Sequence, residues 1–384
     1  MKYYIIAGEA SGDLHGSNLV RELRRQDPQA EIRCWGGDKM AEAGGVLVKH
    51  YRDLAFMGFA EVLLNLRTIF RNLAFCKKDI LAFQPDVLIL VDYPGFNLRI
   101  AKWARRQSLF GNRASRIVYY ISPQVWAWKE GRVKMMKACI DRMLVILPFE
   151  KGYYHDKWNW EVEYVGHPLL EEIEKRTAEP LAARLSDLPV IALLPGSRKQ
   201  EIRKKLPVML EVSRSFPGYR FIVARAPGVD HSFYDSMLRP YPNVSAVTGR
   251  TYDLLQQSVA ALVTSGTATL ETALFGVPEV VCYKGSWLSY QIGKRLVKVK
   301  YISLVNLIMD KPVVKELIQH EMNVPNLCRE LELLLHNPEK QEQLRADYAT
   351  LQKMLVQEGH ASARAAASIL AISGQQFDGQ DQQA

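Results

Sequence analysis

Short β-branched, apolar runs alternate along this chain with longer stretches of helical period, the pattern that parallel α/β sheets produce. In the first half, Tyr3–Ala7, Glu31–Trp35, Val87–Val91, Arg116–Ile121 and Met143–Ile146 predict strands. Helices fall between them, for example after Gly12 and from Phe96 to Ser108. The pattern restarts beyond Gly166-His167-Pro168, with strands expected at Val190–Leu194, Tyr219–Val223, Ala261–Thr264 and Glu279–Tyr283. Leu169–Leu188 reads as a helix plus a connection between two units. Leu327–His336, Glu339–Val356 and Ala361–Leu370 carry helical spacing, and the Gln-, Gly- and Asp-rich Ser373–Ala384 is expected to be disordered. The fold class is α/β: two Rossmann-like domains facing a cleft, with ligands at the carboxyl ends of the strands. The expected division is 1–167, 168–345, terminal helices over 346–372 and a tail over 373–384.

Length agrees with this division, since 384 residues at about 150 per domain suggest two domains. A 48% hydrophobic and 24% charged composition belongs to a globular chain. The formal charge of +9 favours anionic partners: phosphorylated small molecules, an anionic membrane surface or nucleic acid. Without a Lys/Arg tract or zinc-finger spacing, nucleic acid is the weakest of these, and it is not expected as a partner. The five cysteines, Cys34, Cys76, Cys139, Cys282 and Cys328, are far apart and read as free thiols in a reducing compartment. The opening residues lack the length of a signal peptide, and no run of about 20 apolar residues spans a bilayer, so a cytoplasmic location is expected.

Four motifs at strand ends could carry chemistry. Gly8-Glu9-Ala10-Ser11-Gly12-Asp13 allows close backbone approach to a ligand, or is a tight turn capped by Ser11 or Asp13. Asp92, in Val91-Asp92-Tyr93-Pro94-Gly95-Phe96-Asn97, could take a proton from an attacking hydroxyl or cap the next helix. Gly196, Ser197 and Arg198, after an apolar strand, suit a diphosphate through backbone N–H groups, a helix dipole and a guanidinium. Ser265, Gly266 and Thr267 could hold phosphate while Glu271, one turn further, grips a ribose diol; the alternative is ordinary capping by Ser265 or Thr267. A fifth feature is the basic, amphipathic stretch Met57–Phe83, where Phe59, Val62, Leu63, Leu66, Ile69 and Phe70 recur at helical spacing. Such a stripe either packs in a core or meets lipid. No Asp-x-Asp, His-Glu-x-x-His, Walker loop or Gly-x-Ser-x-Gly occurs.

These motifs, together with Met57–Val62, Ile121–Trp128, Leu147–Glu150, Val165–Pro168 and Ser303–Asn306, resemble in order those of the lipid-A-disaccharide synthase family, from Gly8 to about Glu321. The resemblance implies an inverting glycosyltransferase of the GT-B type that joins UDP-2,3-diacylglucosamine to 2,3-diacylglucosamine 1-phosphate, giving a β-1,6 disaccharide and UDP. It implies no metal or cofactor. Asp92 would be the general base, Glu9, Ser11 and Asp13 would shape the acceptor side, and Arg198, Glu271 and Asn306 the donor side. The Met57–Phe83 stretch would face the cytoplasmic side of the inner membrane and receive acyl chains; a homodimer is left open. Gly95 stands where many members carry a second Asp. By analogy with the fold, the last helices would cross back to the first domain. The rival readings are a UDP-N-acetylglucosamine 2-epimerase or soluble glycosyltransferase of the same fold, and a non-catalytic nucleotide-sugar-binding peripheral membrane protein.

Overall fold

The computed structural model describes residues 1–53, 66–111, 115–181, 183–285 and 299–374. The chain forms two compact units, Met1–Pro168 joined by the chain from Gln357, and Leu169–Val356.

In the first unit, seven parallel strands run β1 (Lys2–Ala7), β2 (Glu31–Gly36), β3 (Val46–His50), β4 (Val87–Val91), β5 (Arg116–Tyr120), β6 (Arg142–Val145) and β7 (Glu163–Tyr164), in the spatial order β3-β2-β1-β4-β5-β6-β7. Side chains alternate between the sheet faces. Tyr4, Ile6, Leu88, Leu90, Ile117 and Tyr119 enter one core, and Tyr3, Ile5, Val87, Ile89, Val118 and Tyr120 the other. Both faces are covered, which is why the central strands read as unbroken apolar runs.

The second unit repeats the plan with β8 (Val190–Leu194), β9 (Arg220–Arg225), β10 (Val244–Thr248), β11 (Ser258–Thr264), β12 (Glu279–Tyr283) and β13 (Lys315–Ile318), ordered β10-β9-β8-β11-β12-β13. The strand order reverses between β1 and β4 and between β8 and β11. In a doubly wound sheet the crevice at such a switch point, outside the strand carboxyl ends, is where ligands sit.

Four strands escaped the sequence pattern, β3, β7, β10 and β13, and they are the four sheet edges. Edge strands are half-covered, so β3 has only exposed and half-buried positions, β10 mixes buried, half-buried and exposed ones, and β7 has two residues. Elsewhere the boundaries shift. The first helix begins at Ala10 rather than after Gly12, and the helix expected at Phe96–Ser108 is Pro94–Ala104. Strand β5 stops at Tyr120 because Ile121 turns left-handed, φ 66°.

The return to the first unit starts at Gln357, not at residue 346. Helix Pro338–Leu355 is continuous and buries Leu344, Leu351 and Leu355, which keeps it with the second unit. The last helix, Ala361–Gly374, runs through Ser373, which had been assigned to the tail; the remainder of that tail lies outside the described residues. Its Ala365, Ala366 and Ile369 join the core formed with Leu19, Val20 and Leu23 of helix Ala10–Gln26. Polar ties reinforce it: Gln26 Nε2 donates to the Ala363 carbonyl at 3.1 Å and Arg142 Nη1 to Ser368 Oγ at 3.1 Å.

Of the amphipathic stretch, Phe59, Val62 and Leu63 lie outside the described residues, as does the side chain of Leu66. Helix Leu66–Phe83 buries Leu73, Cys76 and Ile80, with Ile69 half-buried against the same core. Phe70, Phe75 and Leu81 are 61%, 47% and 43% exposed, beside exposed Arg71 and Lys78. One helix therefore carries a core face and a separate exposed face of aromatic and basic residues. Among the described residues no helix is long and apolar enough to cross a membrane.

The terminal helix gives a direct test. Ile369→Ala empties a fully buried position and should cost about 2–5 kcal/mol of stability, read from urea unfolding. An unchanged midpoint would remove the helix from the first unit's core.

Candidate active site

All four strand-end motifs follow the strands that flank the switch points: Gly8–Asp13 after β1, Asp92–Asn97 after β4, Pro195–Arg198 after β8, and Ser265–Glu271 after β11.

At the end of β4 the backbone turns sharply. Asp92 and Tyr93 both adopt left-handed conformations, φ 45° and 47°, which side chains other than glycine rarely take. Neighbouring groups hold the turn. The Asn97 Nδ2 group lies within hydrogen-bond distance of the carbonyls of Ile6 (3.3 Å), Val91 (3.1 Å) and Asp92 (2.8 Å). Tyr119 Oη donates to the Asp92 carbonyl at 2.6 Å, and the Asp92 amide donates to Tyr120 O at 3.0 Å. The Tyr93 ring lies so close to Gly8 that a Cβ there would come within 2.1 Å of it, so glycine is needed immediately after β1. The cap position of helix Pro94–Ala104 is Tyr93, not Asp92, and no side chain caps it.

Burial pushes the Asp92 carboxyl up to about 6, the charge of Glu9 pushes in the same direction, and the Tyr93 amide opposes them. Glu9 is the cap residue of helix Ala10–Gln26 and is half-buried; Ser11 is exposed in its first turn. Asp13, expected on the acceptor side, is 4% exposed and engaged elsewhere. Its carboxylate accepts backbone N–H groups from Gly37 (2.7 Å), Met40 (3.1 Å) and Lys39 (3.3 Å), fixing the loop after β2. At Gly95 an added Cβ would touch nothing within 4 Å, so packing at that position does not itself require glycine.

In the second unit, Gly196 has φ 114°, and a Cβ there would lie 2.6 Å from Glu201 Oε2. Ser197 is exposed; Arg198, 61% exposed, is the cap residue of helix Lys199–Val212 and has Glu201 at 3.8 Å. Gly266, φ 150°, is the cap residue of helix Thr267–Leu274, and Thr267 is exposed. Neither helix has a side-chain cap, which leaves first-turn N–H groups and the dipole for an anion. Ser265 does not cap: its hydroxyl donates to Ile302 O at 2.7 Å. Glu271 accepts a hydrogen bond from Tyr252 Oη at 2.9 Å, and burial raises its carboxyl above the usual range.

Asn306, expected to meet the donor, is instead 1% exposed and occupied within the fold. Its Nδ2 donates to Val314 O and Glu316 Oε1, both at 2.9 Å, and its Oδ1 accepts the Val314 amide at 2.9 Å. Glu316 Oε1 also accepts from the Ser303 amide (2.9 Å) and hydroxyl (2.8 Å), so this network pins helix Leu304–Met309 to β13.

Sequence reasoning missed Asn97, Tyr119, Tyr252 and Glu316 as supports. Asn97 closes the Asp92 motif, a usable signal; Tyr119 and Tyr252 carried none, because their partners are distant in sequence. Lys205 lies 3% exposed on the inner side of helix Lys199–Val212, where burial lowers its ammonium's hold on the proton. Among the described residues no cluster of three or more His, Cys, Asp or Glu could hold a metal ion.

The family model described as Lipid-A-disaccharide synthetase matches residues 3–371. The chain belongs to the lipid-A-disaccharide synthase family. A lipid-A-disaccharide synthase of Geobacter metallireducens is 39% identical over 383 residues, covering 96% of this chain and 97% of its own. That of Syntrophus aciditrophicus is 38% identical over 378 residues, covering 96% and 97%. Among solved structures, a UDP-GlcNAc 2-epimerase from Neisseria meningitidis bound to UDP-GlcNAc superposes with a TM-score of 0.62 at 13% identity, covering 92% of this chain and 99% of that one. The glycotransferase of kitacinnamycin gives 0.66 at 15%, covering 97% and 98%. These likenesses establish the GT-B fold, which epimerases and glycosyltransferases share; the family match favours lipid A disaccharide synthesis over the rival readings. The chain is a glycosyltransferase of that family, which implies a UDP-sugar donor and a sugar-phosphate acceptor.

A carboxyl raised to about 6 is protonated as pH falls through that value, so a step needing the carboxylate is lost below it. Glu9→Gln removes one upward influence and should move the acid limb of kcat/KM to lower pH, with burial still holding it above the ordinary carboxylate range. A limb that does not move would uncouple Glu9 from Asp92.

Proposed function

We propose that this enzyme transfers the sugar of UDP-2,3-diacylglucosamine to O6 of 2,3-diacylglucosamine 1-phosphate, with Asp92 as general base. The observation that carries this reading is the buried Asp92 carboxyl, raised to about 6, on a left-handed turn at the switch point. At neutral pH it is ionised, yet a stronger base than an ordinary carboxylate. It takes the O6 proton as O6 attacks the anomeric carbon; the bond from that carbon to the β-phosphate oxygen breaks, and UDP departs with the electron pair. Attack opposite the leaving group inverts the centre and gives the β-1,6 link.

Negative charge grows on the departing diphosphate. Arg198 and the uncapped N-termini at Lys199 and Thr267 supply positive charge and donors for it, and Glu271 supplies an acceptor for the ribose diol. Gly196, Ser197, Ser265, Gly266 and Thr267 line this donor side, where small residues leave the backbone accessible. Glu9 and Ser11 belong to the acceptor side. Asp13 and Asn306 act as positioning residues, in keeping with their saturated hydrogen bonds. This charge arrangement supports a reaction without a metal.

The exposed Phe70, Phe75 and Leu81 with Arg71 and Lys78 would rest on the cytoplasmic face of the inner membrane, which suits two acylated substrates.

Purified enzyme given both substrates without divalent metal should release UDP in step with a disaccharide phosphate. Asp92→Asn should lower kcat by about 10²–10⁴ while UDP affinity stays within a few-fold. Near wild-type turnover would show that Asp92 is not the base. Arg198→Ala should weaken UDP binding by about ten- to a hundred-fold in calorimetry; unchanged affinity would remove it from the diphosphate.

A further inference from the structure

The loop leaving β5 carries two cations that the chemistry above does not use. Lys129 has a left-handed backbone, φ 58°, and its carbonyl accepts the Arg132 amide at 3.0 Å, so the two residues bracket one turn. Glu130, between them in sequence, is drawn to the other side: its carboxylate accepts Tyr153 Oη at 2.8 Å and pairs with Lys157. The Lys129 ammonium instead lies 4.0 Å from the centre of the exposed Trp128 ring. Among the described residues, neither Lys129 nor Arg132 has an acidic partner within ion-pair distance. Partial burial and the Arg132 charge both weaken the Lys129 ammonium's hold on its proton, as expected of two cations kept close without a counter-charge. Such a pair creates a positive potential that an anion relieves.

The loop is built to hold them. Ser122 Oγ and Tyr154 Oη are 2.7 Å apart, Trp126 Nε1 donates to the buried Glu150 carboxylate at 3.2 Å, and the Trp126 ring meets Phe149 edge-on at 4.9 Å. The location points to the ligand. Arg132 acts electrostatically on Tyr119, whose hydroxyl grips the Asp92 carbonyl at 2.6 Å. The loop leaves the carboxyl end of β5, where Tyr120 pairs with Val91 of β4, the residue before Asp92. That placement suits a sugar phosphate presenting its reactive hydroxyl at one end and its phosphate at the other.

We infer that Lys129 and Arg132 form the subsite for the acceptor's phosphate monoester: Arg132 as a planar fork on two oxygens, Lys129 as a point charge held over Trp128. The inference rests on the proposed sugar 1-phosphate acceptor. Its test compares kcat/KM for diacylglucosamine 1-phosphate and for the same sugar without phosphate, in wild type, Arg132→Gln and Lys129→Gln. UDP affinity is measured alongside as a check on folding. Wild type should favour the phosphorylated acceptor, and Arg132→Gln should cut that preference by about ten- to a hundred-fold with UDP affinity held. A preference unchanged in both variants, or equal losses on both acceptors, would overturn the subsite. If wild type glycosylates neither acceptor, the proposed function falls and the subsite is judged by equilibrium binding of glucosamine 1-phosphate. Equal affinity of wild type and Arg132→Gln would then overturn it separately.

Discussion

In each sheet the chain winds outward from a central strand, returns, and winds outward on the other side. The strands that meet at that reversal, β1 with β4 and β8 with β11, send their following segments in opposite directions. In a doubly wound sheet, helix N-termini and strand-end side chains gather at such a reversal. Asp92, Glu9, Arg198 and Gly266 all occupy such positions. The paired apolar cores serve this arrangement, because strands buried on both faces cannot slide or tilt without losing packing on one of them.

The two reversals have opposite electrostatic character. In the first unit burial, and after it the charge of Glu9, makes Asp92 a stronger base. The Asn97 Nδ2 donor lies within hydrogen-bond distance of three carbonyls there and helps keep the strained turn in place. In the second unit the reversal gathers uncapped helix N-termini and an exposed arginine, a setting for negative charge. The proposed transfer removes a proton from one sugar and releases a diphosphate from another, and it calls on both kinds of environment.

Several residues of the shared motifs work behind the surface. Asp13, Glu150 and Asn306, the last together with Glu316 of β13, use their polar groups on backbone amides and neighbouring side chains, holding loops at the strand ends. Buried polar groups carry such a cost if left unpaired that a satisfied one fixes its surroundings firmly. Glu130 is likewise engaged, pairing with Lys157 and accepting the Tyr153 hydroxyl.

The sequence alone determined the central strands, the long helices and the strand-end motifs, because a strand buried on both faces must be apolar throughout and a turn into a helix needs glycine, proline or a small polar residue. It also determined the family, since the order and spacing of the motifs survive in the linear chain. The edge strands β3, β7, β10 and β13 were decided by the tertiary structure: their pairing partner, not their own composition, makes them strands. So were the elevated carboxyl of Asp92, which depends first on burial and then on Glu9 more than eighty residues away, and the different fates of Asp13 and Asn306. A residue's charge state and its free hydrogen-bonding capacity are set by what surrounds it in space, and periodicity along the chain does not encode those neighbours.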